Sequence, residues 1–327
     1  MDRTALKCMR RFHSYYFYVA IIIILYCTLQ TNNSNSLFPS LQYKESVQST
    51  NSLSRMPERS FLLGIFCSWE NEKERNLIRS TMLSKHLPSF VYQKLCSLNQ
   101  YLSDSVAQSN CQIIYTFVIG GNSSGGYYFD PDQRLVMESL NMSQELDLTV
   151  LNIKENMNEG KTPAWFYFTS QLPSVSIDFV AKCDLDTFIS IPSLIKFINL
   201  YLPSRKNTLH PRIYGGIFYD SIACGGPAYE QCRKMEKKFF MSGQFYFVSH
   251  DIVMMRNLWM KSFSTVPYED VDFGLRLWQG NVTFNALIFN AAPFWVHLLK
   301  DETHYLSVFA ESKNNSWILL APQLSPS

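Results

Sequence analysis

Short apolar runs, separated by stretches with a helical pattern, constrain the fold more than any other feature of the sequence. Four of these runs lie at 61–68, 113–121, 147–151 and 178–183. They are too short for buried helices and rich in branched and aromatic residues, as strands buried on both faces are. Helical patterns occupy 70–83 and 163–170. Strands that alternate with helices predict an α/β fold whose mostly parallel sheet is covered on both faces.

The second half of the chain has a mixed pattern. After about residue 213, aromatic-rich pieces such as 239–248 replace the regular alternation. The 327 residues are 46% hydrophobic and 15% aromatic, which is enough to fill the core of one large domain. With 29 basic and 27 acidic residues, the net charge of +2 gives no support for a nucleic-acid-binding surface. We therefore expect a single α/β domain without a nucleic-acid partner.

An uncharged apolar run lies near the N-terminus, at 15–29, with basic residues before it and a polar segment after it. As a helix it spans only about 22 Å, which suits a thin early-secretory membrane. The basic flank predicts a cytoplasmic tail at 1–14, a transmembrane anchor at 15–30, a flexible stem at 31–59 and a lumenal domain at 60–327. A cleaved signal peptide is the alternative, but no small-residue cleavage site follows the run, which favours the anchor.

Two further features agree with a lumenal domain. Acceptor sites for N-glycosylation occur at Asn32, Asn122, Asn141, Asn281 and Asn314. Six cysteines follow the anchor, an even number that disulfides can use in an oxidising compartment. They are Cys67, Cys96, Cys111, Cys183, Cys224 and Cys232. Closeness in sequence suggests two pairs, Cys96 with Cys111 and Cys224 with Cys232.

An acidic motif, Asp184-Leu185-Asp186, follows the fourth predicted strand. Parallel sheets bind ligands beyond the carboxyl ends of their strands. Two carboxylates at this spacing can both turn toward a hard divalent cation, which in turn neutralises a diphosphate. An acidic surface turn is the alternative, because Asp-x-Asp is a common pattern. Because the motif follows an apolar strand, we give the metal site and the acidic surface turn equal weight.

A second acidic cluster is the segment Tyr268-Glu269-Asp270-Val271-Asp272. Carboxylates this close repel one another and are costly to hold unless they share a cation or a proton. The alternative is a helix start with acids in its first turn, since 271–278 has a helical pattern. The two interpretations are compatible, because one acid can cap the helix while another acts as a base.

Both acidic motifs belong to a longer ordered set. In chain order its members are Arg75-Asn76-Leu77-Ile78-Arg79-Ser80-Thr81-Met82, Phe117-Val118-Ile119-Gly120, Lys161-Thr162, Lys182-Cys183-Asp184-Leu185-Asp186-Thr187-Phe188, Ser242-Gly243-Gln244-Phe245-Tyr246-Phe247-Val248-Ser249 and Glu269-Asp270-Val271-Asp272-Phe273-Gly274. With these motifs, the chain from residue 61 to about 297 resembles the family of inverting β-1,3-galactosyltransferases and β-1,3-N-acetylglucosaminyltransferases that includes the fringe proteins. Their shared order makes the resemblance specific.

The resemblance implies a GT-A type, Rossmann-like glycosyltransferase domain that binds a UDP-sugar donor and Mn²⁺. It implies that Asp186 binds the metal and that Asp184 contacts the ribose or the sugar of the donor. His297 lies where the family often has a metal-binding histidine, with a buried structural histidine as the equal alternative. Arg79 and Lys161 are the donor-binding candidates, on their motif positions alone.

Catalysis is assigned to the second acidic cluster by the same resemblance. Asp270 matches the family's base, with Glu269 beside it. An inverting transfer needs one carboxylate to take the proton of the acceptor hydroxyl as that hydroxyl attacks the anomeric carbon. The implied protein is a single-pass type II enzyme of the Golgi or endoplasmic reticulum, which transfers a hexose or N-acetylhexosamine to a glycan or glycoprotein acceptor in β-1,3 linkage.

Three residues depart from the family pattern. Leu185 replaces the middle Asp of the hallmark motif, Met82 replaces a Trp and Cys183 replaces a Thr. Because side chains alternate along an extended segment, we expect Leu185 to point away from the metal. These departures keep a second hypothesis open, a catalytically inactive lumenal protein that binds a glycan or a partner on the same fold. A retaining transferase is the third.

Overall fold

Nine ranges of the chain are described by the computed structural model. They are residues 59–121, 145–156, 160–172, 177–203, 212–220, 239–260, 268–289, 291–314 and 323–326. The predicted tail, anchor and nearly all of the stem lie outside these ranges, as do Asn32, Asn122, Asn141, Cys224 and Cys232. Within the described ranges, no helix has both the length and the apolar character that crossing a membrane requires.

The sheet is built from strands distributed along the whole described chain. The strands are β1 (Phe61–Phe66), β2 (Leu95–Ser97), β3 (Ile113–Gly121), β4 (Leu148–Lys154), β5 (Phe179–Asp184), β6 (Phe188–Ile189), β7 (Ile213–Asp220), β8 (Phe239–Ser249), β9 (Asn285–Phe289), β10 (Trp295–Val296) and β11 (Gln323–Pro326). A nine-stranded sheet has the order β11-β9-β7-β8-β5-β1-β3-β2, and β4 pairs with β3 further along that strand. β6 and β10 form a separate two-stranded ribbon.

Most neighbours in the large sheet run parallel. β1 is parallel to β3 and β5, β3 is parallel to β2 and β4, and β7 is parallel to β9. β8 is antiparallel to β5 and β7, and β11 is antiparallel to β9. The protein therefore has a mixed α/β fold with a mostly parallel central sheet, consistent with a Rossmann-like glycosyltransferase domain.

Side chains of the central strands alternate between two hydrophobic cores. In β1, Phe61 and Leu63 enter one core, while Leu62 and Phe66 enter the other. Each large apolar side chain removed from water contributes about 1.5–3 kcal/mol to folding. Burial on both faces therefore fixes the register of these strands, since a slip by one residue would exchange the two sets of side chains.

Helices cover both faces of the sheet. They are α1 (Glu72–Ser80), α2 (Ser89–Tyr92), α3 (Leu98–Ser103), α4 (Ser105–Asn110), α5 (Lys161–Gln171), α6 (Ile191–Tyr201), α7 (His250–Val253), α8 (Arg256–Met260), α9 (Glu269–Gln279) and α10 (Glu302–Asn314). α5 packs closely on β1, because Gly64 leaves room for Trp165: an added Cβ at Gly64 would lie 2.7 Å from that ring. On the other face, Leu194 and Ile198 of α6 enter the core that contains Phe61.

The four strands predicted from the sequence are confirmed as β1, β3, β4 and β5, with ends shifted by a few residues. The two predicted helices correspond to α1 and α5. β2 and β7 are not anticipated by the sequence pattern. β2 has only three residues. β7 contains Gly215-Gly216, a residue type depleted in strands, but here Gly215 faces the Phe247 ring, which an added Cβ would approach to 2.3 Å.

The predicted disulfide between Cys96 and Cys111 is present. It joins β2 to the residue two positions before β3. Cys67 and Cys183, which the sequence assigns to no pair, are free and buried. Both pack as small apolar side chains in the core that contains Phe61.

We expect the double substitution Cys96→Ala and Cys111→Ala to lower the free energy of unfolding. The bond closes a loop with a sequence separation of 15. Closing a loop of this size lowers the entropy of the unfolded chain and so stabilises the folded state by about 3 kcal/mol. Urea unfolding followed by tryptophan fluorescence measures the change. The wild-type protein under reducing conditions is the control and should unfold at the midpoint of the variant. Equal midpoints for the variant and the oxidised wild type would contradict the expectation.

Candidate active site

The first acidic motif lies at the carboxyl end of β5. Asp184 is the last residue of the strand, and a tight turn follows, in which the Thr187 N–H donates to the Asp184 carbonyl at 3.2 Å. Asp186 lies in this turn, before β6 begins at Phe188. The carboxyl edge of the parallel strands therefore presents both carboxylates, as the sequence predicts.

The β6–β10 ribbon brings a distant histidine to the same place. Val296 pairs with Phe188 in this antiparallel ribbon, so the residue after Val296 lies beside the turn that precedes Phe188. That residue is His297, whose Nε2 lies 3.2 Å from Oδ1 of Asp186 and 3.8 Å from Oδ2 of Asp184.

Leu298 has an unusual backbone between two contacts to Asp186. Its φ of 68° lies in the left-handed region, which is unfavourable for leucine. On one side, His297 contacts the Asp186 carboxylate. On the other, the Leu299 N–H donates to the Asp186 carbonyl at 3.0 Å. The left-handed turn at Leu298 thus lets the residues on either side of it contact both the side chain and the backbone of Asp186.

Asp184, Asp186 and His297 have the donor atoms of a divalent cation site. One ligand atom from each residue lies within 4.8 Å of the others, and all three side chains are partly exposed. Two carboxylates and an imidazole suit a divalent cation such as Mn²⁺ or Mg²⁺. The hydrogen bond from His297 lowers the pKa of the Asp186 carboxyl, which keeps this ligand ionised.

The second acidic motif starts α9, as its helix-start interpretation predicts, and its role as a base stays a prediction. Glu269, Asp270 and Asp272 all lie in the first turn of the helix. They have separate environments. Asp272 is buried and paired with Arg276, whose Nε lies 2.7 Å from it. Glu269 and Asp270 line the same cavity as the candidate metal ligands.

Glu269 is held by several buried partners. Lys182 and the Thr162 hydroxyl both donate to its carboxylate. The Tyr246 hydroxyl lies 3.5 Å from Oε2. Burial raises the pKa of the Glu269 carboxyl, and the Lys182 ammonium opposes this shift.

Asp270 is held by backbone donors instead. The Gly243 N–H donates to its Oδ2 at 3.1 Å, and the Val271 N–H donates to its Oδ1 at 2.8 Å. Burial raises the pKa of the Asp270 carboxyl, while Lys182 and the two backbone donors oppose the shift. A carboxylate with a raised pKa that borders a cavity has the properties of a general base.

A cavity of about 1120 Å³ joins the two acidic groups. Its walls come from α1, the turn after β5, the start of α9 and the segment from His297 to the first turns of α10. The polar residues among them include Asn71, Lys73, Glu74, Asn76, Asp184, Asp186, Asp270, His297, Lys300 and Asp301. A volume of this order is at the upper end of the range for small-molecule binding pockets, about 300–1,000 Å³.

Two predicted donor-binding residues lie elsewhere. Arg79 pairs with Glu145 and Asp147, and its guanidinium lies 4.8 Å from the centroid of the Phe117 ring. Lys161 is buried, and its ammonium donates to the Cys67 carbonyl at 2.5 Å and to Glu155 at 2.7 Å. Neither residue lines the cavity described above. Their role in donor binding stays a prediction.

Comparison with known protein families decides what this site belongs to. The family model described as galactosyltransferase matches residues 73–285, more than half of the chain. The chain belongs to the galactosyltransferase family. This family contains β-1,3-galactosyltransferases and fringe-type enzymes, so the resemblance drawn from the ordered motifs is confirmed. Membership supports a glycosyltransferase activity, which requires a sugar donor and a glycan acceptor.

Lys182 and Gly243 belong to two of the ordered motifs, but the sequence pattern gives neither residue a role in the candidate site. Lys182 contacts both acidic motifs, and Gly243 contacts Asp270. Alternation along β5 is a signal for the lysine, because residues two apart in a strand share a face and Lys182 precedes Asp184 by two. No local signal indicates the contact of Gly243, since its partner is 27 positions away.

We expect a divalent cation to raise the melting temperature of the wild-type domain and Asp186→Asn to remove most of this effect. A cation that binds only the native state stabilises it by about 2.7 kcal/mol at a hundredfold excess over its dissociation constant. Thermal unfolding with manganese, magnesium or calcium chloride measures the shift. His304→Ala is the matched control, because His304 is exposed on α10 and outside the group. An unchanged response in Asp186→Asn would exclude this residue as a ligand.

Proposed function

We propose that this protein transfers a hexose or an N-acetylhexosamine from a UDP-sugar to a glycan or glycoprotein, with inversion and in β-1,3 linkage. One observation carries the proposal: the group Asp184, Asp186 and His297 and the carboxylate of Asp270 border the same cavity. A transferase of this type needs one site for the diphosphate and a separate base for the acceptor. The cavity supplies candidates for both.

The donor side of the reaction is assigned to the three-residue group. Asp184, Asp186 and His297 would hold Mn²⁺, and their oxygen and nitrogen donors fit that ion. Bound there, Mn²⁺ would supply positive charge next to the diphosphate of the leaving UDP. The GT-A assignment of the fold belongs to the same proposal, supported by acidic residues at the carboxyl end of a central parallel strand.

The acceptor side is assigned to Asp270. In the transfer, the acceptor hydroxyl oxygen bonds to the anomeric carbon while its proton passes to a carboxylate oxygen of Asp270. The bond from the anomeric carbon to the UDP oxygen breaks, and UDP leaves with the electron pair. Glu269 is less suited to this role, because its carboxylate is already bound by Lys182 and Thr162. We assign Glu269 to holding the site together.

The cellular setting is also part of the proposal. We place the catalytic domain in the lumen of the Golgi or endoplasmic reticulum, behind a single-pass type II anchor. The Cys96–Cys111 disulfide supports this, because such bonds form and persist in oxidising compartments. Asn281 gives further support, since this glycosylation acceptor is exposed in the turn after α9.

We expect Asp270→Asn to lower kcat for sugar transfer by about 10²–10⁴-fold, the usual contribution of a general base. UDP release from UDP-galactose, UDP-N-acetylglucosamine and UDP-N-acetylgalactosamine with Mn²⁺ measures it, over a panel of glycan acceptors. Asp251→Asn is the matched control, because Asp251 is exposed on α7 and outside the cavity. A variant at Asp270 with full activity would contradict the base assignment.

The same purified domain separates the enzyme from an inactive binding protein. Calorimetry with UDP and Mn²⁺ tests the donor site without need of an acceptor. Absence of UDP binding would favour a protein that binds a glycan or a partner without transfer. A product with retained anomeric configuration would exclude the in-line displacement proposed for Asp270.

A further inference from the structure

Lys182 is a buried cation that contacts three different elements of the site. It lies in β5, and its side chain is 2% exposed. Its ammonium donates to Oδ1 of Asp184 at 2.6 Å, to the Gly243 carbonyl of β8 at 2.5 Å and to Glu269 of α9. All three donor positions of the ammonium therefore have an acceptor.

We propose that Lys182 is a positioning residue for the transfer reaction, which fixes Asp270 relative to the candidate metal ligands through the backbone of Gly243. Lys182 holds the carbonyl of Gly243, and the N–H of the same residue holds Oδ2 of Asp270 at 3.1 Å. One glycine thus links the buried cation to the proposed base. This inference rests on the proposed function.

The packing around Gly243 makes the link stiff. A Cβ added there would lie 3.0 Å from Oε1 of Glu269, 3.4 Å from Oδ2 of Asp270 and 3.4 Å from Nζ of Lys182. The three charged groups therefore surround the glycine closely. A shift of the ammonium changes its hydrogen bond to the Gly243 carbonyl, and a shift of that peptide moves the N–H that orients Asp270.

The cost of burying the ammonium supports a positional role. Removing a charged group from water costs several kcal/mol unless partners replace the lost hydration. A well-packed apolar side chain would fill the same volume without this cost. The ammonium differs from an apolar side chain in that its hydrogen bonds are directional. All three bonds form only if the acceptors on β5, β8 and α9 keep their positions relative to one another. The Phe66 ring, with its centroid 5.6 Å from Nζ, packs against the same ammonium.

The test compares Lys182→Met and Lys182→Arg with the wild type, using the UDP-sugar that the wild type turns over. A misplacement of about 1 Å at a reacting group costs about a hundredfold in rate. We therefore expect Lys182→Met to lower kcat about a hundredfold while the calorimetric Kd for UDP with Mn²⁺ stays within about threefold, as for an interaction that acts on the transition state. Lys182→Arg should recover part of kcat, because it keeps the charge.

A double-mutant cycle separates positioning from a merely structural role. If Lys182 acts through Asp270, the loss of kcat in Lys182→Met should shrink when Asp270→Asn is already present. The matched control is Lys161→Met, which removes another buried ammonium that contacts neither Asp270 nor Gly243. Its effect on kcat should multiply with that of Asp270→Asn. The proposal would be overturned if the effect of Lys182→Met on kcat also multiplied with that of Asp270→Asn. It would likewise be overturned if Lys182→Met lowered kcat and UDP affinity in parallel.

Gly243→Ala tests the same link if Lys182→Met fails to fold. This variant retains every charge, and its added Cβ comes close to Oε1 of Glu269 and Oδ2 of Asp270. We expect a loss of kcat with UDP affinity kept. Gly121→Ala is the control and should keep kcat, since its nearest contact would be the Leu151 carbonyl at 3.3 Å. Full kcat in Gly243→Ala would overturn the proposal. A wild type that neither binds UDP nor transfers sugar would instead refute the proposed function.

Discussion

The site depends on the burial of β5 on both faces. Parallel pairing with β1 and antiparallel pairing with β8 fix the register of this strand, and two hydrophobic cores fix which side chains face which way. Cys183 then enters one core, so Lys182 and Asp184 must share the opposite face. An ammonium thus lies next to the carboxylates at the edge of the sheet, where it offsets part of their mutual repulsion.

Electrostatics explains why the acids on α9 differ although they are neighbours in sequence. A helix N-terminus favours carboxylates in its first turn, so all three can be tolerated there. Helical geometry then turns them toward different surroundings. Asp272 faces Arg276 four residues later, within the helix. Glu269 meets Lys182, and Asp270 meets the backbone of Gly243. One local pattern therefore yields a structural ion pair, a bridging carboxylate and a candidate base.

The strands with continuous apolar runs could be predicted from the sequence, because burial on both faces leaves a strong compositional signal. The acidic ends of β5 and α9 could be predicted for the same reason, since they interrupt that signal. Contacts between distant residues could not be predicted from local pattern, and only the family resemblance suggested that Asp186 and His297 share a site. His297 and Asp186 meet only because β6 pairs with β10, and two residues in each strand are too few for a recognisable pattern. Likewise, Gly243 meets Asp270 across β8 and α9.

The three residues that depart from the family pattern all pack in or against the core that contains Phe61. Cys183 is buried in a hydrophobic core, where it packs as a small apolar side chain, and its thiol donates to the Asp184 carbonyl at 3.2 Å. Met82 is 1% exposed, and its sulfur accepts the N–H of Ile189 at 3.1 Å, so it supports β6. Leu185 packs partly on the same core while bordering the cavity.

None of these three side chains supplies a charge or a donor atom to the carboxylates of the two acidic groups. Asp184, Asp186, Asp270 and Lys182 retain theirs and remain in contact with one another or with the cavity. Loss of catalysis relaxes the constraint on costly buried charges first, because an unpaired or crowded charge is the most expensive feature to keep. Here one motif carboxylate is replaced, by Leu185 at the cavity, whereas Cys183 and Met82 lie in the core and the charged groups of Asp184, Asp186, Asp270 and Lys182 persist. This distribution favours an active transferase over an inactive descendant on the same fold.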